Sequence, residues 1–213
     1  MQKFRAQNRY LLIFLNLRGK SIRILLLSRA PEGPQLKLKL TQKGFNTIYM
    51  SDLKQKIDCD VIILHHYPLI IKGDDLAWVQ NHINFNIHNT YLPYGRGIYG
   101  IMWAAALGYP QGFTLHDLDT KIDNGAILYR EKIIFPSNKT LKYAWYCIEK
   151  KAISFCLDNI SNINSIYNKR AKEKILKGFY KSRIDSMDLF NKLPKGWNTD
   201  ISTVRTIGKD FKV

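Results

Sequence analysis

Residues 83–97 read INFNIHNTYLPYGRG, in which an apolar run leads into a polar loop. Ile83 to Ile87 is a short, mostly apolar run with the composition of a buried strand. The run delivers Asn86 and His88 at its carboxyl end. Ligand sites of parallel α/β sheets lie at the carboxyl ends of the strands. The stretch therefore predicts a strand that carries an amide and an imidazole into a site.

Apolar runs and helical periods alternate on both sides of this strand. Further strands are predicted at residues 22–28, 46–50, 61–64, 112–118 and 126–134, and helices at 34–43, 74–80, 98–107 and 141–157. Such alternation is typical of a mostly parallel, twisted α/β sheet flanked by helices. The apolar stripe of 141–157 is predicted to be core packing rather than a binding groove.

A carboxylate follows in the Asp119–Gly125 loop, which ends in Asp123-Asn124-Gly125. This tripeptide also favours an ordinary hairpin turn by itself. An Asn can stabilise a developing oxyanion, and a His can transfer a proton. An Asp can orient the His or balance its charge. The set is what acyl transfer without a metal requires.

The ordered set of motifs resembles the core of the folate-dependent formyltransferases. It consists of Asn86-x-His88, Leu92-Pro93, Arg96-Gly97 and Asp123-x-Gly125. The form Tyr91-Leu92-Pro93-x-x-Arg96-Gly97, followed by Trp103, is most similar to the sugar-nucleotide N-formyltransferases. The resemblance covers about residues 58–135 and implies a Rossmann-like formyltransferase fold. Only about 60 residues separate the first strand from Asn86, so one strand–helix unit of the amino-terminal half is expected to be missing or shrunken.

The resemblance also implies roles for individual residues. The catalytic residues would be Asn86, His88 and Asp123, with Asp123 pairing with His88 and raising its pKa. Folate would be held, largely through backbone, by Pro68, Leu69, Ile70, Ile71, Asp119 and Gly125. The acceptor would be met by Tyr91 and Arg96, although an Arg could equally cap a helix or pair on the surface.

Other chemistry-bearing residues are predicted to be structural. Trp103 is expected in the core, and His116 is expected to be a hydrogen-bonded histidine on a strand that is buried on one face. His65 and His66 are adjacent, and neighbours on a strand face opposite ways. No metal site is therefore predicted.

The implied reaction is transfer of a formyl group from the co-substrate 10-formyltetrahydrofolate to the amine of a nucleotide-linked deoxyaminosugar, for example a dTDP-sugar. Its product would feed lipopolysaccharide or another cell-surface glycan. Methionyl-tRNA or glycinamide ribonucleotide is the alternative acceptor within the family. Homodimers are usual among the sugar enzymes it resembles, but the sequence shows no diagnostic interface.

The net charge of +16 at pH 7 leaves a different class of function open. Nucleic acid, an anionic membrane surface or an anionic substrate would each fit it, and so would a solvated basic surface. A non-catalytic nucleic-acid-binding protein on the same scaffold is therefore the second hypothesis. The intact Asn86, His88 and Asp123 argue against it.

Cysteine usage and hydropathy limit the possible cellular compartment and the domain organisation. The cysteines, Cys59, Cys147 and Cys156, form no CxxC pair, which favours a reducing, cytoplasmic location. No run approaches the roughly 20 apolar residues of a membrane span. Residues 1–20 resemble a signal peptide weakly, but without a small-residue cleavage site they are predicted to be an extension. Residues 21–160 would form the catalytic domain, and 161–213 an irregular, mostly loop-like appendage packed on or beside it.

Overall fold

Six strands form the sheet at the centre of the molecule. The computed structural model describes residues 21–171 and 178–211, so the predicted extension 1–20 lies outside the described residues. The strands are β1 Arg23–Ser28, β2 Asn46–Met50, β3 Val61–His65, β4 Ile83–His88, β5 Gln111–His116 and β6 Ile127–Ile133. Their order is β2-β1-β3-β4-β5-β6, with β1 to β4 parallel and β5 and β6 added antiparallel. The predicted, mostly parallel α/β sheet is confirmed.

The inner strands are aliphatic because both of their faces are covered. β1 reads RILLLS and β3 reads VIILH, and all of these residues are buried except the half-buried Arg23. Ile24 and Leu26 belong to one apolar layer, and Leu25 and Leu27 belong to the layer on the other face. Strands buried on both faces give a continuous apolar run rather than an alternation, which is why the sequence locates them.

The described residues form seven α-helices and two 3₁₀ turns. The helices are α1 Gly33–Gln42, α2 Gly73–Gln80, α3 Gly100–Ala106, α4 Leu141–Asn159, α5 Ile163–Asn168, α6 Arg183–Asn191 and α7 Ile201–Gly208, and the turns are Ile160–Asn162 and Gly196–Asn198. Within these ranges no helix combines the length and the apolar composition that crossing a bilayer requires. The predicted stripe of α4 packs in the main core, through Leu141, Ala144, Ile148, Ala152 and Cys156.

The connection from β2 to β3 is where the amino-terminal half is short. Residues 51–60 contain no helix, whereas α1 connects β1 to β2 and α2 connects β3 to β4. The connection is fixed at its end by Asp60, whose Oδ2 accepts a 2.8 Å hydrogen bond from the backbone N–H of Arg23. The arginine side chain also pairs with Asp58. The four parallel strands, β1 to β4, therefore end at the same edge of the sheet although no helix joins β2 to β3.

The expectation of a mostly loop-like tail is wrong for the described part of residues 161–213. Three helices, α5 to α7, lie there, and Leu189, Ile201 and Val204 are buried in the main core. α6 begins with a capping box between Ser182 and Asp185. Helices of six to nine residues show too few turns for a hydrophobic period to stand out, which is why the sequence pattern missed them.

Candidate active site

β4 and the loop before β6 bring together the residues predicted to be catalytic. Asn86 and His88 are two residues apart on β4, so their side chains leave the same face of the strand. Asp123 lies in the loop, with a φ of 47°. Its Oδ2 lies 3.8 Å from Nε2 of His88, and its Oδ1 lies 3.4 Å from Nδ2 of Asn86. An amide, an imidazole and a carboxylate therefore meet at one place.

His116 is a fourth member of this group. It pairs with Asn86 in the antiparallel register of β4 and β5. Its Nδ1 donates a 2.8 Å hydrogen bond to the carbonyl of Asp117. Its Nε2 lies 3.2 Å from Nδ2 of Asn86 and 3.5 Å from Oδ1 of Asp123. The prediction of a buried, hydrogen-bonded histidine is confirmed, but its place beside the site depends on strand register, which the sequence pattern did not give.

Burial sets the protonation state of His88. Its side chain is only 13% exposed, and its Nε2–H donates a 3.1 Å hydrogen bond to the carbonyl of Gly95. Burial disfavours the imidazolium more than the carboxylate of Asp123 favours it, so the pKa of His88 lies below its usual value. The predicted effect of Asp123, which raises the pKa of His88, is present, but burial outweighs it. A neutral imidazole is the form that can accept a proton.

Asp123 stays ionised in spite of its own burial. Desolvation works against the charge, but His88, His116 and the backbone N–H of Gly97 together hold the pKa of Asp123 well below its usual range. The hydrogen bond from Gly97 is the shortest of these contacts, at 2.8 Å to Oδ2. The site thus combines a fixed negative charge with a neutral imidazole.

The loop between β5 and β6 is shaped by close backbone contacts. A Cβ on Gly125 would lie 1.8 Å from the carbonyl oxygen of Asp117, so the loop has room only for glycine there. Oδ1 of Asp119 accepts a 2.7 Å hydrogen bond from the backbone N–H of Thr120. Asp119 and Gly125 therefore fix the path of the loop, and their contact with folate stays a prediction.

A cleft of about 440 Å³ lies beside the other predicted folate-binding segment. Leu69, Ile70 and Ile71 line it, and the exposed Pro68 precedes them. Leu69 and Ile70 are 44% and 58% exposed, which is unusual for two successive aliphatic side chains. Ile71 packs against the same apolar cluster as Leu118, at the start of the loop that carries Asp123. An open apolar wall at this position suits a flat, largely apolar ligand.

The residues predicted to meet the acceptor lie on the loop after β4. Nη1 of Arg96 donates a 3.2 Å hydrogen bond to Oδ1 of Asn124, next to Asp123 in the chain. Nε of Arg96 is buried and has no partner within the described residues. The ring of Tyr91 lies 4.6 Å from the guanidinium carbon of Arg130. Arg96 therefore holds the loop with one donor, while its Nε is enclosed by the protein.

A second polar cluster lies at the end of β3, at the two histidines for which the sequence predicted no shared site. His65 is the last residue of the strand, but His66 follows with a φ of 47°, which turns it out of the extended conformation. Both imidazoles consequently reach Glu149 of α4. The argument that adjacent histidines face opposite ways holds only while the chain stays extended, so it is wrong here.

Comparison with known proteins agrees with this geometry. Residues 23–146, more than half of the chain, match the sequence profile of a family described as formyl transferase. The bifunctional polymyxin resistance protein ArnA of Wigglesworthia glossinidia brevipalpis is 28% identical over 170 residues, which are 73% of this chain and 26% of that protein. The GDP-perosamine N-formyltransferase of Brucella melitensis is 31% identical over 97 residues, which are 45% of this chain and 37% of that protein. The chain thus spans only a minor part of the length of these curated relatives.

A solved structure extends the likeness to the whole fold. The formyltransferase PseJ from Anoxybacillus kamchatkensis, in complex with UDP-4,6-dideoxy-4-formamido-L-AltNAc and tetrahydrofolate, superimposes with a TM-score of 0.73 at 23% identity. The match covers 85% of this chain and 97% of that one. The α/β architecture is therefore shared with a formyltransferase.

Proposed function

This chain belongs to the formyl transferase family, and we propose that it transfers a formyl group from 10-formyltetrahydrofolate to the amine of a nucleotide-linked deoxyaminosugar. The observation that carries the proposal is the convergence of Asn86, His88 and Asp123 at the end of β4. The names of the relatives support the acceptor class. One is a GDP-perosamine N-formyltransferase, and the structure of PseJ holds a UDP-linked formamido sugar together with tetrahydrofolate.

The cleft fits the proposed donor. The exposed side chains of Leu69 and Ile70 offer an apolar wall to a pterin ring. Lys54 and Lys72 line the same cleft, together with Asp52 and Asp75, and the two lysines suit the carboxylates of a folate tail. The donor supplies an activated formyl carbon, and the protein supplies position and charge around it.

Each catalytic candidate has a task in the proposed reaction. His88, neutral at pH 7, accepts the proton that the sugar amine loses when it attacks the formyl carbon. Asn86 donates from its amide to the formyl oxygen as negative charge develops there, a contribution typically worth about 10²–10³ in rate. The fixed charge of Asp123 stabilises the imidazolium while His88 holds the proton. The transfer needs no net change in the protein, because the leaving nitrogen of the folate takes up a proton.

The acceptor is proposed to contact the loop after β4. A guanidinium such as that of Arg96 suits a diphosphate oxygen, and Tyr91 lies on the same loop. Cell-surface glycan synthesis, such as that of lipopolysaccharide, and a cytoplasmic location belong to this proposal. The homodimer stays a prediction.

The test is turnover by the purified chain with 10-formyltetrahydrofolate and a panel of dTDP-, UDP- and GDP-linked 3-amino and 4-amino deoxysugars. Tetrahydrofolate release and the mass of the formylated sugar are followed for the wild type, for His88→Ala, and for His82→Ala as a histidine outside the site. Turnover of one sugar that is lost only in His88→Ala supports the proposal. If no sugar in the panel is formylated although folate binds, the proposed acceptor class is contradicted. If folate does not bind, the proposed donor is contradicted.

A further inference from the structure

The cluster of His65, His66 and Glu149 brings three possible metal ligands together. Nε2 of His65 lies 2.5 Å from Oε1 of Glu149, and Nε2 of His66 lies 3.0 Å from Oε2. The three ligand atoms all lie within 4.8 Å of one another. They come from the end of β3 and from the middle of α4, so the folded sheet and helix hold them in place.

Surrounding polar groups orient these side chains. Oγ of Ser28 lies 3.3 Å from Nδ1 of His65, which can turn its Nε2 toward the centre of the cluster. Nδ2 of Asn89 donates a 2.6 Å hydrogen bond to Oε2 of Glu149, while Oδ1 of Asn89 is buried with no partner within the described residues. Histidines and carboxylates that bind metals are commonly held by such outer hydrogen bonds. The unpartnered amide oxygen offers an acceptor to a water on the metal.

We propose that His65, His66 and Glu149 bind one Zn²⁺ ion, through Nε2 of both imidazoles and the carboxylate. Two imidazoles and one carboxylate with an open fourth position form a donor set that Zn²⁺ accepts at distances of about 2.0–2.2 Å. Small movements bring the three atoms onto such an ion, because they already lie around a common point.

A buried carboxylate between two imidazoles needs a positive partner, which one imidazolium or a bound cation can supply. The two imidazole rings lie 4.5 Å apart, so two imidazolium charges would repel each other at this place. With neutral imidazoles, the carboxylate of Glu149, whose side chain is 8% exposed, would be a buried charge with no formal counter-charge among the three groups. One divalent ion satisfies both imidazoles and the carboxylate together.

His66 gives the site an entry path and a safe position for a test. Its side chain is 31% exposed, whereas that of His65 is fully buried. The ring of His66 also lies 5.9 Å from that of Trp145, so metal binding should change the fluorescence of this tryptophan. Substitution of His66 is therefore expected to remove a ligand without opening the core.

The experiment is a titration of the full chain, treated with a chelator and then freed of it, with Zn²⁺ by calorimetry and with Co²⁺ by visible absorption. We expect one equivalent to bind, and the affinity to fall at least tenfold in His66→Asn and in Glu149→Gln. The control is His82→Asn, whose ring contacts the carbonyl of Trp78 outside the cluster and which should bind like the wild type.

Two results would overturn the proposal: no binding by the wild type, or equal affinity in wild type and His66→Asn. Circular dichroism verifies that each variant is folded, and His66→Asn decides the outcome if Glu149→Gln is unstable. No folate or sugar is present in the titration. Failure here therefore leaves the proposed formyl transfer unaffected, and the reverse is also true.

Discussion

The backbone N–H of Gly97 donates a 2.8 Å hydrogen bond to Oδ2 of Asp123. This bond joins the loop after β4 to the loop between β5 and β6, and it acts on the carboxylate oxygen that faces His88. Gly97 has a φ of 88°, which favours glycine. The position of the carboxylate therefore depends on a backbone conformation on the neighbouring loop.

We expect Gly97→Ala to lower kcat/KM between about tenfold and a hundredfold, because small misplacements of catalytic groups have effects of this order. A Cβ at this position would lie 2.9 Å from Cε2 of Tyr180 and 3.0 Å from the carbonyl oxygen of Lys181, so the N–H must move away from Asp123. Steady-state kinetics with the cognate sugar measures the change.

Gly44→Ala is the matched control for this variant. Its φ of 92° imposes similar backbone strain, about 1–2 kcal/mol, but a Cβ there meets nothing within 4 Å. Gly44→Ala should lose only the stability due to backbone strain in thermal unfolding and keep its activity, whereas Gly97→Ala should lose more stability and also activity. Equal kcat/KM in the two would show that the bond to Asp123 does not position the carboxylate for catalysis.

Asn86→Ala is expected to reduce kcat by about 10²–10³ and to change KM little. The amide donor acts on charge that is present in the transition state and absent from the bound substrates, so its loss lowers kcat and kcat/KM together. The comparison is Asn81→Ala, an exposed asparagine at the end of α2. A raised KM with unchanged kcat would make Asn86 a binding residue instead.

The sequence predicted the parts of this site that depend on local pattern. The pattern of one strand predicted that Asn86 and His88 lie on the same face at its end, and a short loop motif predicted Asp123 as their partner. It placed neither His116 nor Glu149 at a site. Strand register puts His116 opposite Asn86, and docking of α4 on the sheet brings Glu149 to β3, and both result from long-range packing.

Local conformation accounts for another error. The strand period gave opposite directions for His65 and His66, but a single residue with φ of 47° at the strand end reverses that result. Single positive φ values on residues other than glycine are uncommon, and neither a strand period nor a helix period indicates them. The tail helices were missed for a different reason, since α6 and α7 are only nine and eight residues long.

Ile201→Ala should lower the free energy of unfolding by about 2–5 kcal/mol, the usual cost of truncating a buried isoleucine. Ile201 is 3% exposed at the start of α7 and belongs to the main core. Ile184→Ala is the same substitution in α6, where the side chain is 84% exposed, and should change stability by no more than about 0.5 kcal/mol. Urea denaturation measures both. Equal small effects would mean that α7 is not part of the cooperative core.

Asp123→Asn should move the acid limb of the pH–rate profile to lower pH. Activity requires neutral His88, so kcat/KM of the wild type should fall as the pH drops through the pKa of His88, which burial places below the usual value of about 6.5. Asp123 partly opposes burial by raising this pKa, so removal of its charge lowers the pKa further and slows the reaction as well.

The measurement is kcat/KM from about pH 4 to pH 9, with NMR titration of His88 where turnover is too slow. Asp158→Asn, which removes an exposed carboxylate near Lys43, should leave the limb in place. An upward shift in Asp123→Asn, or a wild-type limb above pH 6.5, would contradict the assignment of His88 as the proton acceptor in a desolvated site.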